Sequence, residues 1–393
     1  MGKKSSKQAG TASSKRPAAG KPVKKTAAKA AKAAPDLGPR AAKKKNSAKA
    51  VNLAAVQQEL RKRWDTLNPQ RLAAMVQLAS VHDEIMQLPN VTGVHVGLRK
   101  RRMSRKHDRE SWVSPLQFCI RVHVKEKLDG DDPRIHTLLP TLYGDTCVDV
   151  CQQRYSNRPA AGAGAGTSGF ADPVEGGIPI AAIHSGLSRW GTLGGVVFSG
   201  ESLRYLTNCH VVGDVAAVEI IQPPSGTVPA GQTAVIGTVV ASAPIDVIDA
   251  ALIKPKRFRN RSQSIVGIPS QVFVTGQLTP GDHHLTVACK VGAMTGFTKG
   301  IVKSTDATVI VHDKEMRNQI IVESMNGPDD LCDAGDSGSF LIVQTIQEGI
   351  TINQIVGLVH AEGSIDENGP FRSMIACHFS EVQRQLGIRI TKH

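Results

Sequence analysis

Short apolar runs separated by turn-forming residues fill the chain after residue 172, and no other feature constrains the fold as strongly. The runs are rich in Val and Ile and lie at residues 194–198, 234–240, 308–311, 340–343 and 355–359. The runs are separated by the turn-forming residues Gly, Pro, Asn and Asp. Apolar runs of this length between turn residues predict strands. Regular short strands over about 220 residues favour a barrel or sandwich, so the expected fold class of this region is mainly β.

The formal net charge of +14 lies at the other end of the chain. Residues 1–50 hold 15 lysine or arginine residues and one acidic residue, Asp36, while the remaining 343 residues hold 33 basic and 33 acidic residues. This segment is rich in Ala, Lys, Ser, Pro and Gly, and no aromatic residue precedes Trp64. It cannot bury enough apolar surface to offset the entropy of ordering, which predicts a disordered basic arm over residues 1–50.

Three interpretations of the basic arm stay open. Residues 24–32 resemble the tails of linker histones and of lysine-rich bacterial DNA-binding proteins. Such an arm neutralises phosphates without reading bases, which makes nucleic acid of any sequence one expected partner. A solvated leader that aids solubility is the plainer alternative. The opening Met1-Gly2-Lys3-Lys4-Ser5-Ser6 also fits a short N-myristoylation pattern, with the lysines as a second membrane signal.

Several protein classes are disfavoured. No apolar run approaches the ~20 residues that a transmembrane helix needs, and no apolar signal-like segment lies within residues 1–50. Seven sparse cysteines in such a chain are expected to be reduced thiols rather than a disulfide framework. The expected location is therefore the cytoplasm, with association with the nucleoid left open by the basic arm. No cofactor is expected, and oligomeric state is not predicted.

A metal site is also disfavoured. Cys147 and Cys151 have a Cys-x3-Cys spacing, but no second pair of Cys or His accompanies them. His283 and His284 lie beside Gly281 and Asp282 in a predicted loop. Structural zinc sites need four ligands, so neither pair is expected to hold zinc.

Residues 51–155 have the pattern of a small α+β module. Asn68-Pro69 predicts the start of a helix that continues to about residue 88. Alternation then predicts half-buried strands at 91–98 and 118–124, with a third short strand at 145–150. The loop 99–109 holds seven basic residues and one acidic residue, and is either a second polyanion contact or a solvated loop.

A Gly- and Ala-rich stretch at residues 159–169 predicts a flexible linker after the module. The expected domain organisation is the basic arm at 1–50, the module at 51–155, the linker at 156–172 and a β domain at 173–393.

Three segments of the β domain carry residues suited to acyl transfer. His210 follows a predicted strand, Asp249 precedes an apolar strand, and Ser337 lies in the Gly-flanked turn 334–339. A serine hydroxyl needs a base to remove its proton, and an imidazole needs a carboxylate to fix its tautomer. Glycines beside the serine allow a turn whose N–H groups converge on an oxyanion. Asp246 lies near the same strand start as Asp249 and is the alternative carboxylate, although Ala-Ala-Leu-Ile directly after Asp249 favours the latter.

This region resembles the trypsin/chymotrypsin-like serine peptidases of the bacterial intracellular type, over residues of about 175–385. Thr207-Asn208-Cys209-His210-Val211 is similar to the Thr-Asn-x-His-Val stretch of bacterial members, and residues 335–338 match the Gly-Asp-Ser-Gly motif. The stretch 290–300 is similar to a strand-turn-strand segment that lies between Asp and Ser in intracellular members. The order His, Asp, Ser is also the chymotrypsin order.

The resemblance implies a chymotrypsin-like double β-barrel, with His210 and Asp249 from the first barrel and Ser337 from the second. His210 is then the general base, Asp249 its orienting group and Ser337 the nucleophile. The backbone N–H groups of Gly335 and Ser337 form the oxyanion hole. The implied function is a serine endopeptidase, a hydrolase that cleaves protein or peptide substrates through an acyl-enzyme and is localised by its basic arm.

The same resemblance leaves some positions open. Cys209 and Cys332 resemble positions that are bridged in secreted members, but here they are expected to be buried small hydrophobic residues. A specificity pocket is implied between residues 329–334 and 357–363, with Leu331 where a basic-specific enzyme holds an Asp. The alternative function is a catalytically degenerate peptidase fold that acts as a nucleic-acid-associated binding protein.

Deletion of residues 1–50 tests the basic arm. The full-length chain is expected to bind DNA of any sequence, with affinity that falls steeply between about 50 and 200 mM salt because bound counterions are released. The truncated chain, whose formal charge is zero, is expected to bind weakly in the same fluorescence anisotropy titration. Salt-sensitive binding that survives the deletion would assign the contact to the 99–109 loop instead.

Overall fold

The computed structural model describes most of the chain after residue 52. The described residues are 53–99, 117–128, 139–157, 160–161, 169–183, 189–214, 217–225, 227–244, 248–269, 272–325, 331–364 and 371–392. The basic arm, Asp246 and nearly all of the 99–109 loop lie outside the described residues, so the predictions made for them stay predictions.

The module begins with one long helix, α1, over Leu53–Met86. The prediction that a helix starts at Asn68-Pro69 is wrong, because Pro69 lies inside α1. A proline in a helix interior removes one hydrogen bond and crowds the preceding turn. The turns after Pro69 are held by packing instead, since Ala74 and Ile85 are buried in the module core.

Two strands of the module are buried on both faces. β1 (Val91–Leu98) pairs antiparallel with β2 (Phe118–Val124) in the register Val94↔Val122. Sequence alternation predicted half-buried strands, but α1 covers one face and the β domain covers the other, so even His95 and His123 are buried. The remaining strands of this region are β3 (Leu142–Tyr143), β4 (Thr146–Gln152), β5 (Arg154–Ser156) and β6 (Ala160–Ala161).

The first half of the β domain forms one barrel. A short strand, β7 (Val174–Gly176), precedes the barrel and lies in a separate two-stranded sheet. The strands of the barrel are β8 (Pro179–Ala182), β9 (Arg189–Thr192), β10 (Gly195–Ser199), β11 (Ser202–Thr207), β12 (Glu219–Ile221), β13 (Val235–Ala243) and β14 (Ala250–Pro255). The path β10-β11-β14-β13-β12-β8 is antiparallel throughout. Backbone hydrogen bonds from Leu193 N to Ile178 O (2.9 Å) and from Gly177 N to Leu193 O (2.7 Å) close it. A one-turn helix, α2 (Cys209–Val212), follows β11.

The second half forms a closed six-stranded barrel. After β15 (Arg261–Ile265) and β16 (Phe273–Thr275), its strands are β17 (Val287–Gly292), β18 (Gly296–Val311), β19 (Lys314–Ser324), β20 (Phe340–Gln347), β21 (Ile350–Ser364) and β22 (Phe371–His378). The pairing order β17-β20-β21-β22-β19-β18 returns to β17 through the β17–β18 hairpin. The chain ends with α3 (Phe379–Leu386) and β23 (Ile388–Arg389).

The two barrels pack on a shared apolar core. Leu206 and Leu252 of the first barrel belong to the same buried apolar cluster as Phe340 and Leu358 of the second. The prediction of a mainly β chain with a double β-barrel is therefore confirmed. The module joins the second barrel edge to edge, because β1 pairs with β18 at Val94↔Thr308. Residues 52–393 form one compact unit, and the boundaries predicted at 155 and 172 stay predictions.

Four histidines are buried where they cannot easily hold a proton. Burial lowers the pKa of His283 and of His360 to about 4. Burial, followed by the neighbouring positive charges, holds the pKa of His95 and of His284 well below the usual histidine value. His283 Nε2 accepts a hydrogen bond from Thr305 N at 2.9 Å, which requires that nitrogen to be unprotonated.

These histidines predict acid sensitivity. Their folded-state pKa is below the unfolded value, so the unfolded chain takes up protons first as pH falls from about 6.5 to about 4, and stability falls with it. The free energy of unfolding in urea is expected to be smaller at pH 5.0 than at pH 7.5, with His283 and His360 each contributing about 2 kcal/mol of the difference.

His283→Gln should lose less stability over this interval than the wild type, because glutamine does not titrate. The exposed His312 provides the control, and His312→Gln should lose as much as the wild type. An equal loss in all three proteins would contradict the assignment of the acid sensitivity to buried histidines.

Candidate active site

His210 and Asp249 form a hydrogen-bonded pair in the first barrel. His210 lies in α2, directly after β11, and Asp249 directly precedes β14. Because β11 and β14 pair antiparallel at Thr207↔Ala251, their adjoining ends lie side by side. Asp249 Oδ2 lies 2.5 Å from His210 Nδ1, and Oδ1 accepts a hydrogen bond from His210 N at 3.0 Å. Asp249 thus holds both the ring and the backbone of His210.

The environment of Asp249 keeps its carboxylate charged. Burial alone would raise the pKa of Asp249, but the nearby His210, through its charge and its hydrogen bonds, brings that pKa below the usual value. Asp249 has a φ of +46°, a left-handed conformation that Asp tolerates better than most residues. Asn208 fixes this conformation by donating from Nδ2 to Asp249 O at 2.6 Å.

Ser337 lies in the turn between β19 and β20, which belong to the second barrel. The turn is pinned on both sides, because Gly338 N donates to Val359 O at 2.9 Å and Thr192 N donates to Ser337 O at 2.8 Å. Gly338 has a φ of +99°, and a Cβ at this position would overlap Thr192 O and Thr207 Oγ1. Only glycine therefore fits, and the fit brings the Ser337 turn against the end of β11.

The Ser337 turn and the His210 segment converge at β9. A Cβ on Gly191 would lie 2.5 Å from Val211 Cγ2 and 3.0 Å from Ser337 O, so one small residue separates the neighbour of His210 from the serine backbone. His210 Nε2 is buried and has no hydrogen-bond partner among the described residues. The nitrogen that Asp249 does not hold is therefore available to a hydroxyl.

The backbone amides of Gly335 and Ser337 are the two that the sequence predicts to form an oxyanion hole. Gly335 has a φ of +105°, and its carbonyl turns inward to accept from Thr192 Oγ1 at 2.7 Å. Within the described part of the chain, neither Gly335 N nor Ser337 N donates to a protein acceptor. The amides of the intervening Asp336 and of Gly338 are both used, so the two that sequence reasoning selected are the ones left to an incoming oxygen.

Asp336 anchors the turn through a fully buried ion pair. Its carboxylate Oδ2 lies 2.8 Å from Lys290 Nζ, and both side chains have an exposed fraction of 0%. Oδ1 accepts from Met294 N at 2.9 Å and from Thr295 N at 3.0 Å, while Oδ2 also accepts from Thr295 Oγ1 at 2.6 Å. Because these contacts balance and hydrogen-bond a buried charge, they hold the Ser337 turn against the β17–β18 hairpin.

Sequence reasoning missed two residues here. Lys290 was seen only as part of a segment, and its one sequence signal is a lysine placed within the apolar strand 287–292. His360 is buried, interacts electrostatically with Asp249, and has Nε2 2.8 Å from Gln319 Oε1. No local pattern distinguishes His360, because its position beside Asp249 comes from the contact between barrels.

The cysteines and the implied pocket wall agree in part with expectation. Cys209 and Cys332 are free and buried. Burial raises the pKa of Cys209 to about 11 and that of Cys332 well above the ordinary thiol value, so neither is a thiolate near neutral pH. Leu331 is buried as well. Residues 329 and 330 lie outside the described residues, so the specificity pocket stays a prediction.

The described residues offer no group of three or more Cys, His, Asp and Glu side chains arranged for a metal ion. Nor is any helix among them long and apolar enough to cross a membrane.

Comparisons with known proteins return a fold and no closer relative. No family model and no curated protein sequence matches the chain. Among solved structures, a glutamic acid-specific serine protease has 16% identity and a TM-score of 0.41, covering 56% of this chain and 100% of its own. A Cellulomonas bogoriensis chymotrypsin has 20% identity and a TM-score of 0.39, covering 56% and 99%. A protease of M. tuberculosis has 18% identity and a TM-score of 0.33, covering 55% and 80%.

All three are serine-protease structures of the class that the sequence resembles. At these identities and TM-scores the likenesses carry no argument about activity, and the case for an activity rests on the geometry of the site.

Substitution of Lys290 tests the buried ion pair. Lys290→Met would leave a buried carboxylate without its cation, which is expected to cost about 3–5 kcal/mol of the free energy of unfolding. Lys290→Met combined with Asp336→Asn should recover part of that loss. The control is Lys256→Met, which removes a half-exposed ion pair with Glu219 and should cost less than about 1 kcal/mol in the same denaturant titration. Similar losses for the two single variants would show that Lys290 is not needed to balance Asp336.

Proposed function

We propose that this chain is a serine endopeptidase that cleaves peptide bonds through an acyl-enzyme, with Ser337, His210 and Asp249 as its catalytic residues. The observation that carries the proposal is the 2.5 Å contact of His210 Nδ1 with a buried Asp249, which leaves Nε2 without a partner among the described residues. A histidine fixed in this way has one tautomer, with the proton on Nδ1 and a lone pair on Nε2.

The first half of the reaction forms the acyl-enzyme. Ser337 Oγ attacks the carbonyl carbon of the substrate while its proton moves to His210 Nε2, and Asp249 stabilises the imidazolium that results. The negative charge that develops on the carbonyl oxygen is stabilised by the N–H groups of Gly335 and Ser337. His210 then returns its proton to the departing amine, which leaves an ester on Ser337.

The second half restores the enzyme. A water molecule gives a proton to His210 Nε2 and attacks the ester carbonyl, and the same two amides stabilise the second oxyanion. The proton then passes from His210 to Ser337 Oγ as the C–O bond breaks and the acid product leaves. Lys290 and Asp336 take no part in proton transfer, and act as positioning residues that hold the amide of Gly335 in place.

The basic arm is proposed to localise this activity at polyanions such as nucleic acid, because it holds the whole net charge of the chain. The three proposed catalytic residues all lie outside the arm in the sequence, so hydrolysis of a small peptide should not depend on it.

A fluorophosphonate probe tests the nucleophile, and variants test the other two residues. The wild type is expected to be labelled at Ser337, and Ser337→Ala is expected to stay unlabelled. His210→Ala removes the proton acceptor, and Asp249→Asn allows the wrong tautomer, so each should lower kcat for a peptide substrate by about 10⁴-fold.

The matched control is Asp246→Asn, which removes the alternative carboxylate three residues away and should leave kcat nearly unchanged. A large loss in Asp246→Asn with little in Asp249→Asn would reassign the third residue. Absence of labelling both in the wild type and in chains whose β5 or β6 pairing is disrupted, under conditions that label trypsin, would favour the catalytically degenerate binding protein instead.

A further inference from the structure

Two short strands that precede the β domain lie on the strand edges next to Ser337. On one edge of β21, β20 pairs as far as Leu358, and Gly338 and Ser339 continue the contact through Val359. Three residues further along that edge, β5 pairs antiparallel with β21 in the register Ser156↔Glu362 and Arg154↔Ser364. β5 therefore occupies the edge of β21 from the point where the Ser337 turn leaves that edge.

The second strand, β6, lies on the other side of Ser337. It pairs antiparallel with β9 in the register Ala160↔Trp190 and Ala161↔Arg189. Thr192, two residues after Trp190 on β9, donates from its backbone N to Ser337 O at 2.8 Å. β5 and β6 thus each end on a strand that contacts the Ser337 turn directly.

The direction and spacing of these strands match those of one extended peptide. β5 and β20 are both antiparallel to β21, so β5 runs towards Ser337 as the chain proceeds from Arg154 to Ser156. Asn157 is buried, and three peptide units separate it from Ala160, a span of at most about 11 Å. Arg158 and Pro159 lie outside the described residues, while the described strands on either side of them flank the serine.

β5 is also held by side chains. Ser156 Oγ donates to Glu362 Oε1 at 2.8 Å, and these two residues are also directly opposite each other in the β5–β21 pairing. Tyr155 is packed in an apolar cluster with Val309 and Ile375 of the second barrel. These contacts hold β5 on the edge of β21 in addition to its backbone pairing.

We propose that β5 and β6 occupy the backbone edges of β21 and β9 on which a polypeptide substrate would bind as an added strand, so that the chain blocks its own site. An unpaired strand edge binds a peptide through main-chain hydrogen bonds, and here two such edges on either side of Ser337 are already filled by the chain itself. That the excluded peptide is a substrate rests on the proposed function. That β5 and β6 occupy the two edges does not depend on the proposed function.

An intramolecular occupant competes at a high effective concentration. A tethered segment acts as if present at millimolar concentration. The apparent affinity of a free peptide is its intrinsic affinity multiplied by the fraction of molecules in which the edges are open. Any change that unpairs β5 or β6 should therefore strengthen the binding of a free peptide without a new contact.

Peptide binding tests the proposal without any chemistry. The probe is a fluorescein-labelled peptide with the sequence of residues 154–161, and all proteins are full-length chains that carry Ser337→Ala. Ser156→Pro and, separately, Ala161→Pro remove a backbone donor and disrupt the pairing of β5 or β6. The control is Leu142→Pro, which disrupts the equally short strand β3 in the module and leaves β5 and β6 intact. Circular dichroism and thermal unfolding verify that each variant is folded.

The apparent Kd for the peptide is expected to be at least about tenfold lower in Ser156→Pro and Ala161→Pro than in the parent chain and in Leu142→Pro. Equal Kd values in all four proteins, or absence of peptide binding in both strand variants, would overturn the proposal. With Ser337 restored, fluorophosphonate labelling should be faster by a similar factor in the two strand variants. If Ser337 is never labelled while the anisotropy difference is found, the proposed function fails and the self-blocked edges stand.

Discussion

The buried carboxylate of Asp336 is the constraint on which the geometry of the site depends. Lys290 balances its charge, and backbone amides of the β17–β18 turn fill its remaining lone pairs. A Cβ on Gly292 would overlap this carboxylate, so the hairpin and the Ser337 turn fit together only with glycine at that position. A buried ion pair contributes little net stability when it is complete, but it penalises every arrangement that separates its partners. The pair therefore selects one conformation of the turn, and with it the direction of the Gly335 and Ser337 amides.

The candidate residues of the site could be selected from the sequence because each lies in a distinctive local segment. His210, Asp249 and Ser337 each lie in a short stretch whose strand and turn residues restrict the backbone, and the antiparallel pairing of β11 with β14 brings the first two together. The fold class followed from the same local signal, since short strands with regular punctuation have few ways to bury their apolar faces.

What the sequence did not predict depends on contacts between distant segments. The two buried faces of β1 follow from α1 on one side and the second barrel on the other, and no pattern within residues 91–98 contains that information. Pro69 indicated a helix start by local rules, yet packing further along α1 extends one helix across it. Lys290 and Asp336 are 46 residues apart in the sequence, and β5 and β21 are separated by more than 200 residues. Non-local pairing of this kind is decided by tertiary packing rather than by propensity.

β21 connects these non-local features to one another. Along five residues it pairs with β20 at Leu358, holds the Ser337 turn at Val359, brings His360 into electrostatic interaction with Asp249, and pairs with β5 at Glu362. β5 is in turn fixed to the module, because the hydroxyl of Tyr155 is hydrogen-bonded to His123 Nδ1. β5 is therefore held on both sides, by the module through His123 and by the second barrel through its pairing with β21 and the packing of Tyr155. Since β21 is a central strand of a closed barrel and β5 contributes only three residues, the pairing is the weaker element. The β5–β21 pairing can therefore be lost while the barrel that carries Ser337 stays intact.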